Sequence, residues 1–186
     1  MVAVIPARKY IIIHSDSNFK YNYDIQSVKG ATPMSFSFPA LFIILIILFP
    51  NLLFVLFPPT GKPENVTEEY KWVSILEHGG QILFFAAFLF LPVSDLETRN
   101  PILLFWMIFC ALIYYALWIR YMVKKQAYSA LFETIMSIPI PMAIFPILAF
   151  TFGVLWLQSW LALIPLLLFA IGHFINSWNS AQHLHS

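Results

Sequence analysis

The chain has 186 residues, of which 60% are hydrophobic and only 10% are charged, and its formal net charge is +1. A soluble domain carries about 25% charged residues, so this composition excludes a water-soluble globule, and the near-zero charge excludes a nucleic-acid-binding protein that relies on a basic surface. The single cysteine, Cys110, excludes an intramolecular disulfide and a multi-cysteine metal site. We therefore predict a polytopic helical membrane protein whose main partner is the lipid bilayer.

Residues 1–37 are the least membrane-like part of the chain. Tyr10-Ile11-Ile12-Ile13-His14 has the composition of a strand, and residues 19–26 alternate apolar with polar. Ser15-Asp16-Ser17-Asn18 between them has the composition of a turn, so this pattern predicts a β-hairpin. A lone hairpin is only marginally stable in water, so a disordered leader is the alternative. Met34, just before the first apolar stretch, is an alternative start.

Five apolar stretches follow, and they predict an all-α bundle of five transmembrane helices. The predicted spans cover residues 38–57, 72–92, 101–123, 134–156 and 160–178, and a polar tail covers 179–186. Pro50 lies inside the first span, so we expect a kink there, with the adjacent Asn51 turned towards other helices. The third span ends in aromatic side chains of the kind that form an interfacial girdle: Tyr114, Tyr115, Trp118 and Tyr121.

Prolines and glycines inside the spans mark places where a helix can depart from regular packing. The fourth span contains Pro139, Pro141 and Pro146. Because proline is frequent in transmembrane helices, we favour an otherwise regular span, and the alternative is a partly unwound helix that lines a cavity. For Gly79 and Gly80 in the second span we favour close helix packing over a break in the helix.

The distribution of lysine and arginine predicts an orientation. The first and third loops carry more basic residues near the span ends than the other loops, which places these loops and the C-terminus in the cytoplasm and the N-terminus outside, in a plasma membrane. If residues 1–37 stay in the cytoplasm, the orientation reverses. In either case the first loop, the third loop and the C-terminus of an alternating five-span chain share one side of the membrane.

The second span is the most informative stretch of the sequence. Its apolar part, residues 82–92, would cover only about 16 Å as a helix, against a hydrocarbon core of roughly 30 Å. The helix must therefore include Glu77, His78 and Gln81 in order to cross the membrane. Ionisable groups at membrane depth are costly, and they are functional candidates by default.

Polar residues of the other spans fall on the same side of the membrane, so we predict a one-sided polar pocket. Its candidate residues are Glu77, His78, Gln81, His173 and Asn176, with Arg120 and Glu133 at the rim. Two histidines and two carboxylates from different helices could relay protons, bind a metal ion or hold the head group of a substrate. No HxxH or HExxH spacing is present, so we predict no metal site, and the sequence identifies no cofactor.

These residues support three functional hypotheses. The favoured one is the binding or movement of a small or amphipathic molecule, coupled to protons, in which Glu77 and His78 contact the ligand and His173 and Asn176 face them. The second is an intramembrane enzyme that acts on lipid-like substrates, with His78 or His173 as the base and Glu77 as its partner. The third is a non-catalytic accessory or immunity-type subunit, in which Glu77 pairs with Arg120 or His173 only to stabilise a bundle whose pocket is filled.

Overall fold

The structure is a computed structural model that describes residues 36–61, 70–93 and 99–184. The predicted hairpin or leader in residues 1–35 lies outside the described residues. In the described part the secondary structure is helical without a β-strand, which confirms the all-α prediction. The helices are α1 (Phe38–Leu48), α2 (Leu52–Leu56), α3 (Lys71–Phe90), α4 (Pro101–Val123), α5 (Pro141–Leu157) and α6 (Leu163–Gln182).

Four helical segments of 19 to 23 residues are long and apolar enough to cross a membrane. They are Phe38–Leu56, which contains α1 and α2, then Lys71–Phe90, Pro101–Val123 and Trp160–Gln182. Many of their apolar side chains are exposed, among them Val123 at 77% and Ile75 at 72%, and such large exposed apolar surfaces are typical of contact with lipid. The protein is therefore an integral membrane protein.

The fourth predicted span begins later than expected. α5 starts at Pro141 instead of residue 134 and has 17 residues, which makes it about 25 Å long and places it at the lower end of the spanning range. Pro139 and Pro141 each disfavour a helical conformation of the preceding residue, and Ile140 adopts a left-handed conformation with φ of 46° and ψ of 58°. The segment is thus partly unwound, which is the alternative and not the favoured interpretation. Only Pro146 lies inside the helix.

Pro50 breaks the first span as predicted, and a short 3₁₀ turn separates α1 from α2. Pro50 has no N–H to donate to the carbonyl of Ile46, and the Tyr115 hydroxyl donates to this carbonyl instead, at 2.7 Å. The Tyr114 hydroxyl donates to Oδ1 of Asn51. This contact confirms that Asn51 turns towards another helix.

The aromatic residues near the end of α4 do not form the predicted girdle. Tyr114, Trp118 and Tyr121 are only 4%, 5% and 0% exposed, so they face the interior of the bundle. The Tyr121 hydroxyl donates to the carbonyl of Phe57 at the end of α2, at 2.8 Å. Lipid cannot satisfy the backbone groups that kinks and helix ends leave unpaired. Tyr115 and Tyr121 supply two of these hydrogen bonds to backbone carbonyls, and Tyr114 donates to the side chain of Asn51.

Two helix pairs build the core that positions the polar residues. α3 packs along α6 and α4 packs along α5, while α1 contacts both α3 and α5. Phe84 and Phe88 stack on each other, and Phe84 meets Phe150 edge to face at 5.1 Å between ring centroids. The centre of the bundle is therefore apolar and aromatic, and the polar contacts between helices lie away from it.

Backbone contacts place the loops that were predicted to share one side of the membrane at the same end of the bundle. The N–H of Thr60, after α2, donates to the carbonyl of Gln126 at 2.8 Å, and the N–H of Tyr128 donates to the carbonyl of Thr60 at 2.9 Å. Leu184, after α6, packs against the buried cluster that contains Tyr128. The first loop, the third loop and the end of α6 therefore meet at one end of the bundle.

Candidate functional site

Two glycines bring the backbones of α3 and α6 into contact. A Cβ on Gly80 would lie 2.5 Å from the backbone nitrogen of Phe169, and a Cβ on Gly172 would lie 2.5 Å from the backbone nitrogen of Glu77. No side chain can be added at such distances without moving a helix, which confirms the prediction of close packing at Gly80. A Cβ on Gly79, by contrast, would meet nothing within 4 Å. The close crossing places Glu77 beside the middle of α6, next to Gly172.

At this crossing Glu77 forms hydrogen bonds with two side chains of α6. Nδ1 of His173 lies 2.7 Å from Oε1 of Glu77, and Nδ2 of Asn176 donates to Oε2 at 2.8 Å. An ionised carboxylate only accepts hydrogen bonds, so Nδ1 carries the hydrogen and Nε2 is the second ring nitrogen that other groups can use. The side chains of Glu77 and His173 are 14% and 27% exposed. Glu77 is six residues from the start of α3, about 9 Å along the helix.

Glu77 and His173 form part of the wall of a cavity of about 520 Å³. This volume lies within the range of about 300 to 1,000 Å³ that is usual for small-molecule sites. Further polar groups in the wall are Asn51, His78, Gln81, Tyr114, Trp118 and Ser177. Most of the remaining wall is apolar and comes from α1, α2 and α5, including Ile140, Met142 and Pro146. The unwound start of α5 therefore lines the cavity.

The other candidates of α3 lie in the cavity wall but do not join the pair. His78 is exposed, and its Nδ1 donates to the carbonyl of Ser74 in its own helix, at 2.9 Å. Gln81 is half-buried and lines the same cavity one turn further along. A ligand in the cavity could therefore reach both side chains as well as His173.

Arg120 and Glu133 form a separate ionic cluster with Lys124. Arg120 is hydrogen-bonded to Oε2 of Glu133 and donates to the carbonyl of Ala130 at 3.2 Å, while Nζ of Lys124 donates to Oε2 of Glu133 at 2.6 Å. The hydrogen bond from Lys124, followed by that from Arg120, holds the pKa of Glu133 below its usual value. The residues that line the cavity do not include this cluster.

The seven candidate residues thus divide into two groups. Glu77 is hydrogen-bonded to both His173 and Asn176, and His78 and Gln81 share the cavity with the Glu77–His173 pair. Arg120, in the last turn of α4, pairs with Glu133 in the third loop. The sequence left Arg120 and His173 as alternative partners for Glu77, and in the structure Glu77 is hydrogen-bonded to His173.

Three contributors to the site were missed by sequence reasoning. Gly172 directly precedes His173, and a second interior glycine beside a buried polar residue was the signal for a helix crossing. Tyr114 and Trp118 are four residues apart and line the cavity from α4. Their helical spacing, continued by Tyr121, was the signal for an inward-facing stripe.

No protein-family model, curated protein or solved structure matches this chain. The described residues contain no group of three or more His, Cys, Asp or Glu side chains that could hold a metal ion.

Proposed function

We propose that this integral membrane protein binds a small or amphipathic molecule in the cavity, with the polar group of that molecule against the Glu77–His173 pair. One observation carries the proposal: a 2.7 Å hydrogen bond joins the two side chains in the wall of a cavity of about 520 Å³. Ionisable groups at membrane depth are costly to bury and are usually kept for function. A mostly apolar wall with a few convergent polar groups is the usual composition of a small-molecule site.

The pair is also suited to exchange a proton when the ligand binds. With Nδ1 held by Glu77, a proton can be gained or lost at Nε2 of His173, which changes the net charge of the pair between −1 and 0. The other titratable groups of the cavity wall are His78 on α3 and Tyr114 on α4. A ligand that donates a hydrogen bond to Nε2 requires this nitrogen to be unprotonated. Ligand binding and protonation are therefore coupled.

A second candidate is an intramembrane enzyme that acts on lipid-like substrates. The arrangement of His173 favours it. A histidine that acts as a general base is usually oriented by a carboxylate at one ring nitrogen, and its second nitrogen takes the proton. Turnover of a lipid-like substrate by the wild type that is lost in His173→Asn, whose amide can still donate a hydrogen bond to Glu77, would support this candidate over binding alone. The accessory-subunit hypothesis expected a pocket filled by side chains, and a cavity of about 520 Å³ does not match it.

The proposal can be tested by thermal unfolding of the purified protein in detergent. The probes are short-chain and long-chain alcohols, amines and fatty acids, added singly. A ligand at about 100 times its Kd stabilises the folded state by about 2.7 kcal/mol, so at least one compound class should raise the unfolding temperature of the wild type. Glu77→Gln should lose this effect. Gln is almost isosteric with Glu and still accepts a hydrogen bond from His173, so the helix crossing is retained.

The matched control is Glu133→Gln, which removes a carboxylate outside the cavity. This variant should keep the stabilisation by the same compound. Two outcomes would contradict the proposal: no compound stabilises the wild type, or Glu77→Gln responds as strongly as the wild type does.

A further inference from the structure

The cavity reaches the lipid-facing surface at the second half of the first span. None of the residues of α2 is buried. Phe54 and Val55 line the cavity, yet their side chains are 45% and 75% exposed. The 3₁₀ turn at Pro50 separates α2 from the packed helix α1. This side of the cavity wall is therefore thin and faces the bilayer.

The opposite edge of this opening is formed by α3. His78 is exposed and Gln81 is half-buried, and both line the cavity. Asn51, at the start of the exposed segment, lies five residues before the end of α2, which corresponds to about 8 Å of helix. Glu77 lies about 9 Å from the start of α3. Asn51, Phe54 and Val55 on one side and His78 and Gln81 on the other therefore line the cavity from within two of the helical segments that are long and apolar enough to cross a membrane.

The charge of the lining restricts the head group that can bind. Among the described residues that line the cavity, none is Lys or Arg, and Glu77 is the carboxylate. An anionic head group would be desolvated beside this carboxylate without a fixed cation to compensate it, which is costly. The carboxylate of Glu77, with lone pairs beyond the two hydrogen bonds it accepts, and Nε2 of His173 instead accept hydrogen bonds. The lining thus favours a head group that donates hydrogen bonds and has no negative charge.

We propose that the ligand is a membrane amphiphile with a hydroxyl or primary amine head group, which enters the cavity from the bilayer between residues 51–55 and 78–81. Its head group donates to Glu77 and to Nε2 of His173, and its chain passes over Phe54 and Val55 into the lipid. This inference rests on the proposed function, because it names the ligand class and the route for the same site.

The experiment uses photoreactive amphiphiles and the full-length protein in phosphatidylcholine nanodiscs. Three probes carry the same diazirine-bearing alkyl chain and differ only in the head group, which is an alcohol, a primary amine or a carboxylate. A fourth probe is a short, water-soluble diazirine alcohol. Cross-linking is quantified by mass spectrometry of peptides from α2, α3 and α6. We expect the alcohol or the amine to label the wild type at least tenfold more than the carboxylate, and the stronger of the two identifies the head group.

Variants separate the binding site from the route. Glu77→Gln should reduce labelling at least tenfold, while Glu133→Gln should leave it unchanged. Val55→Trp and Gln81→Trp narrow the opening from its two edges and should slow labelling severalfold. The control is Leu45→Trp on α1, since Leu45 is 55% exposed but does not line the cavity.

The possible results distinguish the two proposals. If the carboxylate probe labels as well as the other long-chain probes, the assigned ligand class is wrong. If both tryptophan variants at the opening label at the wild-type rate, entry from the bilayer is wrong. Labelling by the short, water-soluble alcohol alone, lost in Glu77→Gln, would overturn this inference and leave the proposed function standing. If no probe labels the cavity peptides, this inference fails, and the proposed function is then decided by the thermal unfolding panel.

Discussion

A single residue, Glu77, illustrates how a carboxylate is kept at membrane depth. Each of its two oxygens accepts a hydrogen bond, one from His173 and one from Asn176. These charge-assisted hydrogen bonds offset the desolvation of the carboxylate. Truncation of His173 removes one of these hydrogen bonds, leaves the buried charge of Glu77 poorly compensated and destabilises the fold, whereas Glu77→Gln removes the charge itself. For this reason Glu77→Gln is a better probe of function than a truncation of His173.

Glu133, in the third loop, gives a prediction about pH. Its lowered pKa means that the folded state favours the ionised carboxylate, so its contribution to stability is complete above the unfolded value of about 4.5 and is lost as the pH falls through the folded pKa. The ion pairs are partly exposed, with the Glu133 side chain at 34%, so solvent screening limits the contribution to about 0.5 to 1 kcal/mol. Glu133→Gln should lower the free energy of unfolding by this amount at pH 7.

The measurement is detergent-solubilised thermal unfolding of wild type and Glu133→Gln between pH 7 and pH 3. The difference between the two proteins should shrink as the pH falls below about 4.5. High salt at pH 7 should reduce it as well. A difference that grows towards low pH would show that the ion pairs with Arg120 and Lys124 are not its source.

At the scale of helices, the broken first span depends on α4 for its hydrogen bonds. Pro50 removes the helical donor for the carbonyl of Ile46, and Tyr115 supplies a replacement from the neighbouring helix. Hydrogen bonds between membrane helices contribute about 0.6 kcal/mol on average and up to about 1.7. The hydrogen bond from Tyr115 to the carbonyl of Ile46 is expected to contribute near the upper limit of this range, because this carbonyl has no N–H donor within its own helix.

This dependence predicts coupling between Pro50 and Tyr115. Tyr115→Phe alone should lower the free energy of unfolding by about 1 to 2 kcal/mol. In a Pro50→Ala background the restored N–H can donate to Ile46, so Tyr115→Phe should cost much less there. A double-mutant cycle of chemical unfolding measures the coupling energy. Equal costs of Tyr115→Phe in the two backgrounds would rule out the replacement role of the Tyr115 hydroxyl.

The crossing of α3 and α6 predicts opposite effects of two glycine substitutions. Gly172→Ala places a Cβ 2.5 Å from the backbone nitrogen of Glu77, so the helices must separate, at a cost of about 1 to 3 kcal/mol or more. Gly79→Ala meets nothing within 4 Å and should be neutral or stabilising by up to about 1 kcal/mol, because Ala favours a helix over Gly. Unfolding of both variants by denaturant measures the difference. If Gly172→Ala proved as stable as Gly79→Ala, the close crossing would be incorrect.

On the scale of the whole molecule, the bundle has one end where its polar loops meet. Thr60 of the first loop pairs with Gln126 and Tyr128 of the third, and Leu184 after α6 packs nearby. At the other end Arg99 stacks on Trp156 with 5.0 Å to the ring centroid. Four helical segments of this chain are long and apolar enough to cross a membrane, and we expect the short helix α5 to be a further span, which gives five crossings.

This arrangement predicts which sites an impermeant thiol reagent can reach from each side. In a Cys110→Ser background, Lys125→Cys and Gln182→Cys should be labelled from the same side of sealed vesicles, and Arg99→Cys from the opposite side. The buried Cys110 should itself label poorly. Labelling of Arg99→Cys and Lys125→Cys from one side would mean that α4 does not span.

The sequence predicted the positions of breaks and of close helix packing well, and the side-chain partners across helices poorly. The break at Pro50, the close packing at Gly80 and the shared side of the loops each follow from one residue type or from simple alternation. The inward direction of Tyr114 and Trp118 does not follow from such a rule. Lipid and the protein interior are both apolar, so the hydrophobic pattern of a helix does not show which of its faces points towards the protein. The unwinding before Pro141 was considered but not favoured, since proline is common in spans that stay helical.

The amino-acid sequence by itself determined that this is an integral membrane protein, because its few charged residues and long apolar stretches cannot form a water-facing surface and are compatible with lipid. It also determined that Glu77 must enter the membrane, because the apolar part of its span is too short. Only the tertiary structure decided that Glu77 meets His173, 96 positions away, and that Arg120 meets Glu133 instead. The partner of Glu77 depends on how closely α3 and α6 approach each other. Gly80 and Gly172 set this distance, because no side chain fits between the two helix backbones at these positions.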